Sequence, residues 1–230
     1  GAEPIFIDVD RKTLSLSPEA LENFIEANCF LDTDGVLINK LTEKKIKACL
    51  PMHTFGFPCQ IKELQEICSK YNLSLVEDAA ESLGSFYRNI HTGTFGSCSS
   101  LSFNGNKIIT TGGGGMILTN SEELASRARH LSTQAKTIKD WRFDHDQIGF
   151  NYRLPNLNAA IGVAQMKQLP KFLAAKRKLS EEYFKWGREN NCEFVQEPKD
   201  SKANYWLNAL LTKNLKERDQ FLETTNKNKI

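Results

Sequence analysis

The chain has 230 residues, 40% of them hydrophobic and 25% charged, enough for a sizeable core in one domain, or in one domain plus part of a second. Thirty basic residues against twenty-eight acidic ones leave a net charge of +2, which points to neither nucleic acid nor an acidic partner, and the sequence has no basic stripe or nucleic-acid recognition motif. The opening GAEPIFIDVD has an early acid and no basic region ahead of an apolar run, so no signal peptide is expected, and no apolar run is long enough to span a bilayer.

In chain order, PIFIDV (4–9) reads as a short strand, and Ser17-Pro18-Glu19 opens a helix with Ser17 as cap and Pro18 in the first turn. IKACLPM (46–52) is apolar enough for a buried strand. In FPCQIKELQEICSKY the residues Ile61, Leu64, Ile67 and Cys68 share one helical face, and LSLVED (73–78) follows as a compact strand ending in acid. Strand, helix, strand is the rhythm of a βαβ unit. It predicts an α/β fold with a mainly parallel sheet and helices on both faces. SCSSLSF and MILT are two more strands, separated by the loop NGNKIITTGGGG, and EELASRARHLS is a short helix. The stretch from Thr137 to Arg153 holds Trp141, Phe143, Phe150 and Tyr152, an aromatic content that suits an ordered functional loop rather than a spacer. A helix begins at Asn156, Pro170 interrupts or restarts it, and it continues to about Trp186. NYWLNALLT (204–212) resembles a strand and LKERDQFLETTNK a further helix.

Six cysteines never form CxxC and read as reduced thiols of a cytoplasmic protein, and four dispersed histidines show no metal-ligand spacing. Asp78 stands at the carboxyl end of its strand, the edge at which open parallel sheets bind ligands, although an acid there also suits a helix cap or a buried arginine. Lys107 follows SSLSF by a few residues and precedes four glycines. Held at a sheet edge, such an amine can react with a carbonyl, but a lone lysine is ordinarily a solvated charge. Gly112 to Gly115 permit positive φ or close backbone approach and match neither nucleotide-loop pattern. Ser102 could donate to a phosphate, as could its serine neighbours. Asn151 and Arg153 precede a helix start, a place that suits either an anion or a structural ion pair. These local patterns support a polar edge site and do not choose a cofactor.

The ordered series does choose one. With His53-Thr54-Phe55-Gly56, Val76-Glu77-Asp78-Ala79-Ala80-Glu81-Ser82-Leu83-Gly84, Gly93-Thr94-Phe95-Gly96, Ser102-Phe103-Asn104-Gly105-Asn106-Lys107, Thr110-Thr111 before the glycines, and Gly149-Phe150-Asn151-Tyr152-Arg153, the sequence resembles the nucleotide-sugar aminotransferases. These are fold-type I pyridoxal-phosphate enzymes of the DegT/DnrJ/EryC1/StrS group, and the resemblance covers nearly the whole chain. It implies a three-layer α/β/α cofactor-binding domain over 1–186, including the bridging helix, and the start of a small α+β domain over 187–230.

The resemblance also assigns roles. Lys107 would bind the cofactor covalently, Asp78 would pair with its ring nitrogen, and Ser102 would bind its phosphate. Asn151 would reach the phosphate held by a neighbouring subunit, so a homodimer with shared sites is implied. Glu81 stands where relatives commonly carry Gln or His near the cofactor's ring oxygen. Glutamate is the implied amino donor, and Lys107 in place of histidine favours transamination over dehydration. The segment from His130 to Ala160 looks closest to the branch making 4-amino sugars for legionaminic-acid or bacillosamine-type glycans. The implied acceptor is therefore a UDP-linked 4-keto-6-deoxy N-acetylhexosamine, with Trp141, Arg142 and His145 on the substrate side. Arg153 would help neutralise a donor carboxylate or a sugar-nucleotide phosphate. Against the family pattern the chain looks like an internal piece, beginning midway through the large domain and ending as the small one begins. The alternative reading is a non-catalytic fragment or scaffold homologue that keeps the dimer surface without a complete cofactor site.

Overall fold

The computed structural model describes residues 1–137 and 141–230; residues 138–140, within the expected aromatic loop, lie outside the described residues. In chain order the elements are α1 (Pro18–Asn28), β1 (Cys29–Leu31), β2 (Leu37–Asn39), β3 (Lys45–Ile46), β4 (Ala48–Cys49), α2 (Ile61–Lys70) and β5 (Ser74–Asp78). They continue with β6 (Phe86–Tyr87), β7 (Ile90–His91), β8 (Cys98–Ser102), β9 (Gly115–Leu118), α3 (Glu122–Ser132) and α4 (Asn156–Asn190). The last are β10 (Glu193–Phe194), β11 (Ser201–Lys202), β12 (Leu210–Leu211) and α5 (Leu215–Lys227).

The sheet that organises the molecule runs β4-β5-β8-β9, with the first two pairings parallel and the edge strand β9 antiparallel. This is the expected α/β fold with a mainly parallel sheet. Partner residues in register point to the same face. Cys49 pairs with Leu75 and Glu77 with Ser99, and all four are buried. Leu21 and Ile25 of α1 and Ile61, Leu64, Ile67 and Cys68 of α2 cluster with Cys49 and Leu75. The helical spacing in α2 thus buries the stripe its sequence predicts. At the carboxyl end of the sheet a second cluster joins Ala79, Leu101, Phe103 and Ile109 to Leu169 and Phe172 of α4. Asp78, in register with Ser100, shares the other sheet face with Ser102.

Ser17 caps α1 by accepting from the Ala20 N–H at 3.2 Å, with Pro18 at the first turn, and Ser121 caps α3 in the same way. Five expectations change. PIFIDV forms no strand: only Val9 makes a bridge, to Leu16, and Phe6 is 89% exposed, so its alternating pattern finds no ladder to join. IKACLPM is not one buried strand. Ile46 belongs to β3, in the antiparallel β1-β2-β3 sheet, and Ala48 and Cys49 to β4, so the chain changes sheets at Lys47 and leaves Leu50 exposed. Pro170 neither ends nor restarts a helix; α4 runs through it for 35 residues. The proline costs one helical hydrogen bond, to the Met166 carbonyl, but Leu169 and Phe172 beside it are packed against the cluster of Ala79, Leu101, Phe103 and Ile109. α4 ends past Trp186, at Asn190, capped by Asn191 in the left-handed region at φ 52°. NYWLNALLT is a strand only at Leu210–Leu211, and its first residues, Asn204, Tyr205 and Trp206, are buried without regular structure.

Candidate active site

The site is built where β5 and β8 end side by side. β5 finishes at Asp78, whose N–H donates to the Pro51 carbonyl at 2.9 Å and whose carbonyl accepts from His53 N–H at 3.0 Å. The Asp78 side chain turns the chain immediately afterwards, Oδ1 accepting from the Ala80 N–H at 3.0 Å. Among the described residues no hydrogen bond reaches its other carboxylate oxygen. β8 finishes at Ser102, whose Oγ accepts from Asn104 N–H at 3.3 Å, leaving its own O–H free to donate. Ser102 lies in register with Gly115 of β9. A Cβ on Gly115 would stand 2.4 Å from the Leu101 carbonyl oxygen, so only glycine allows this approach.

Lys107 sits on the loop between β8 and β9. The loop is pinned by Ile109 and Thr111, each 1% exposed, and by Asn158 of α4, whose Nδ2 donates to the Thr111 carbonyl at 2.5 Å. The Lys107 side chain is 14% exposed, and its Nζ lies 3.4 Å from Glu81 Oε1. It also stands 3.9 Å from the centre of the Trp206 ring. Glu81 is itself fixed, Oε2 accepting from the Phe55 N–H at 2.7 Å. Phe55 holds φ at 56°, an uncommon conformation for a bulky residue and one that marks a position determined by its surroundings.

One residue before Asp78, Glu77 forms a fully buried pair with His53, His53 Nε2 to Glu77 Oε2 at 2.9 Å. The Cys59 N–H donates to His53 Nδ1 at 3.2 Å, so the ring carries its proton on Nε2, toward Glu77. Glu77 also accepts from the N–H groups of Gly93, Phe95 and Gly96, each at 2.7 Å. Burial works against charge on Glu77, but the His53 hydrogen bond and those from Gly96 and Gly93 prevail and hold its carboxyl below the usual range. This pair ties the 53–59 turn and the Gly93–Gly96 turn to the strand that ends at Asp78.

Asp78, Glu81, Ser102 and Lys107 are thus gathered on two neighbouring strand ends and the loops that leave them. The remaining candidates lie elsewhere. Asn151 and Arg153 are exposed on the approach to α4, where Asn151 makes a bridge to Thr133. Trp141 is 90% exposed and Arg142 is exposed beside it. His145 is exposed and its Nδ1 pairs with the Gln134 carbonyl at 2.7 Å. Among the described residues, no hydrogen bond or ion pair joins them to Lys107.

Trp206, Glu77 and His53 are site residues that sequence reasoning left unassigned. Glu77 and His53 stood inside quoted motifs and could have been paired from their opposite chemistry. Trp206 carried no local signal, because its neighbours come from distant parts of the chain.

The donor set fits pyridoxal phosphate: an acidic acceptor with one oxygen free, a hydroxyl donor on the same sheet face, and a primary amine on the adjoining loop. A Cβ added at Gly105 or Gly113 meets nothing within 4 Å, so this loop has open space beside it.

The family model for the DegT/DnrJ/EryC1/StrS aminotransferases matches residues 1–230. GDP-perosamine synthase of Escherichia coli O157:H7 is 37% identical over 223 residues, covering 96% of this chain and 55% of that protein. A Bacillus subtilis (strain 168) protein that carries the name of a pyridoxal phosphate-dependent aminotransferase, EpsN, is 36% identical over 214 residues, covering 93% of this chain and 52% of its own. The chain spans about half the length of the curated relatives it matches. The crystal structure of a DegT DnrJ EryC1 StrS aminotransferase from Brucella abortus superposes with a TM-score of 0.86 at 26% identity, covering all of this chain and 58% of that one. On these matches the chain belongs to the DegT/DnrJ/EryC1/StrS aminotransferase family.

Proposed function

We propose that the protein is a pyridoxal-phosphate-dependent sugar aminotransferase that moves an amino group from glutamate to the 4-keto group of a nucleotide-linked hexose. The observation that carries this reading is the position of Lys107: a largely buried amine held against Glu81, on the loop that leaves the strand next to Asp78. When bound, pyridoxal phosphate supplies an electron sink that stabilises negative charge on the carbon losing its proton. Lys107 would hold the cofactor through Nζ and, once released, would carry a proton at Nζ between the reacting substrate carbon and the carbon of the cofactor to which it had been joined. Asp78 would keep the ring nitrogen protonated, and Ser102 would donate its O–H to the phosphate. Glu81 steadies Lys107 from the side.

For the acceptor, the E. coli O157:H7 relative carries GDP in its name, so a GDP-linked 4-keto-6-deoxyhexose is the first substrate to test. The UDP-linked 4-keto-6-deoxy N-acetylhexosamine expected from sequence is tested beside it. Residues 1–186 form the cofactor-binding unit in this reading, and 187–230 begin the second. Two copies share each site, with Asn151 reaching the partner's phosphate. Exposed Trp141, Phe143, Ile148 and Tyr152 on the same stretch support a covered surface there, and Arg142, His145 and Arg153 would face the sugar nucleotide. The reaction belongs in the cytoplasm, where six free cysteines stay reduced; among the described residues no helix is long and apolar enough to cross a membrane.

The test is the donor half-reaction. The full-length protein loaded with pyridoxal phosphate and given glutamate should release one 2-oxoglutarate per site, and Lys107→Ala should release none. Equal release from both would remove Lys107 from the chemistry. Release from neither would favour the scaffold reading.

A further inference from the structure

Trp206 lies in a stretch without helix or strand, yet its position is tightly specified. Its N–H donates to Asn204 Oδ1 at 2.8 Å, its carbonyl accepts from Lys176 Nζ at 3.0 Å, and its indole Nε1–H donates to the Asn106 carbonyl at 2.7 Å. The residue is 8% exposed. Asn204 is held in turn, its N–H on Ser85 Oγ and its Nδ2 on the carbonyls of Glu81 and Leu83. It packs so closely on Gly56 that a Cβ there would stand 1.8 Å from Asn204 Oδ1. One short segment therefore grips the backbone of both residues that define the lysine's surroundings: Glu81 through Asn204, and Asn106, next to Lys107, through the Trp206 indole.

The ring face then meets the amine itself, 3.9 Å from Nζ, while Glu81 Oε1 lies 3.4 Å from the same atom. A lysine stem has four carbons and many rotamers, and a compact ammonium has no directional fork to orient it. An indole is the best aromatic partner for such a cation, and the attraction grows when water is excluded. The indole N–H, which a buried tryptophan must pair, is paired here with the residue preceding the lysine, so the bond that satisfies the ring also fixes its face beside Nζ.

We infer that Trp206 is a positioning residue for Lys107, and that with Glu81 it forms a two-sided clamp holding the amine at the sheet edge in the absence of cofactor. What Lys107 is held for rests on the proposed function; the clamp does not.

The test uses the 230-residue chain without cofactor. Limited acetylation with acetic anhydride, read lysine by lysine by mass spectrometry, compares the wild type with Trp206→Leu and Trp206→Phe. Lys176 is the internal reference, because it binds the carbonyl of Trp206 and reports any loosening of the segment. The clamp predicts that Trp206→Leu raises Lys107 acetylation roughly tenfold with Lys176 unchanged, and that Trp206→Phe, which keeps an aromatic face, stays within about threefold of wild type. An unchanged Lys107 in the leucine variant overturns the inference, as does a joint rise of Lys107 and Lys176. The same proteins are then given pyridoxal phosphate and borohydride. The share of adduct on Lys107 should fall in Trp206→Leu and recover in Trp206→Phe. If the wild type shows the predicted acetylation pattern but takes no adduct on Lys107, the clamp stands and the proposed function fails.

Discussion

The end of the four-stranded sheet and the stretch from Trp141 to Arg153 hold residues of comparable chemistry in opposite physical settings. At the sheet end, Glu77 and His53 are fully buried, and the Lys107 and Glu81 side chains are 14% and 11% exposed. In the other region Trp141, Arg142, His145, Asn151 and Arg153 are all exposed. Position at the sheet end is enforced by buried groups that cannot be left unpaired. In the exposed stretch, water can satisfy each polar group and little is lost if a side chain turns away. A carboxylate or amine meant to meet a cofactor at a fixed place belongs to the first setting. The second suits a surface completed by another molecule.

The comparison breaks first at Glu77. Glu77→Ala strands His53 and three backbone N–H groups in the core and should cost about 3–5 kcal/mol, read from the urea midpoint of circular dichroism. A loss within the range of ordinary surface substitutions would show that the buried layer does not hold the edge. Next comes Gly115→Ala, whose Cβ is driven against the Leu101 carbonyl; roughly 1–3 kcal/mol of lost stability is expected.

Acid sharpens the same contrast. The Glu77 carboxyl is held below its ordinary value of 4.5, so as pH falls the unfolded chain takes up the proton first. The stabilisation is whole above that value and is lost as pH falls through the lower folded-state value. Wild-type stability should therefore drop more steeply in acid than that of Glu77→Gln; parallel curves would contradict a charged, paired Glu77. At the small end, Trp141→Ala should change stability by no more than about 0.5 kcal/mol, and a larger loss would mean that the stretch is internally packed.

How far the sequence revealed the molecule follows the same division between local and distant causes. α2 was legible because Ile61, Leu64, Ile67 and Cys68 repeat with the helix within ten residues, and α1 because Ser17 and Pro18 mark its start. PIFIDV was misleading because a strand exists only with a partner, and alternation cannot say whether one is near. Pro170 was misread because its tolerance depends on packing against a loop some sixty residues earlier. Asp78, Ser102 and Lys107 were legible as members of an ordered motif series. Trp206 was not, since the carbonyl its indole binds lies 100 residues away, and Asn204 reaches Ser85 across 119. The position of Lys107 depends on those distant contacts.

In the proposed reading this edge presents Lys107, rather than any other lysine of the chain, as the amine that takes the cofactor. The direct measurement is to incubate the purified chain with pyridoxal phosphate, reduce with borohydride, and map the modified peptides by mass spectrometry. A single stoichiometric adduct on Lys107 is the predicted result. Labelling scattered over exposed lysines, with Lys107 no more modified than the rest, would contradict it.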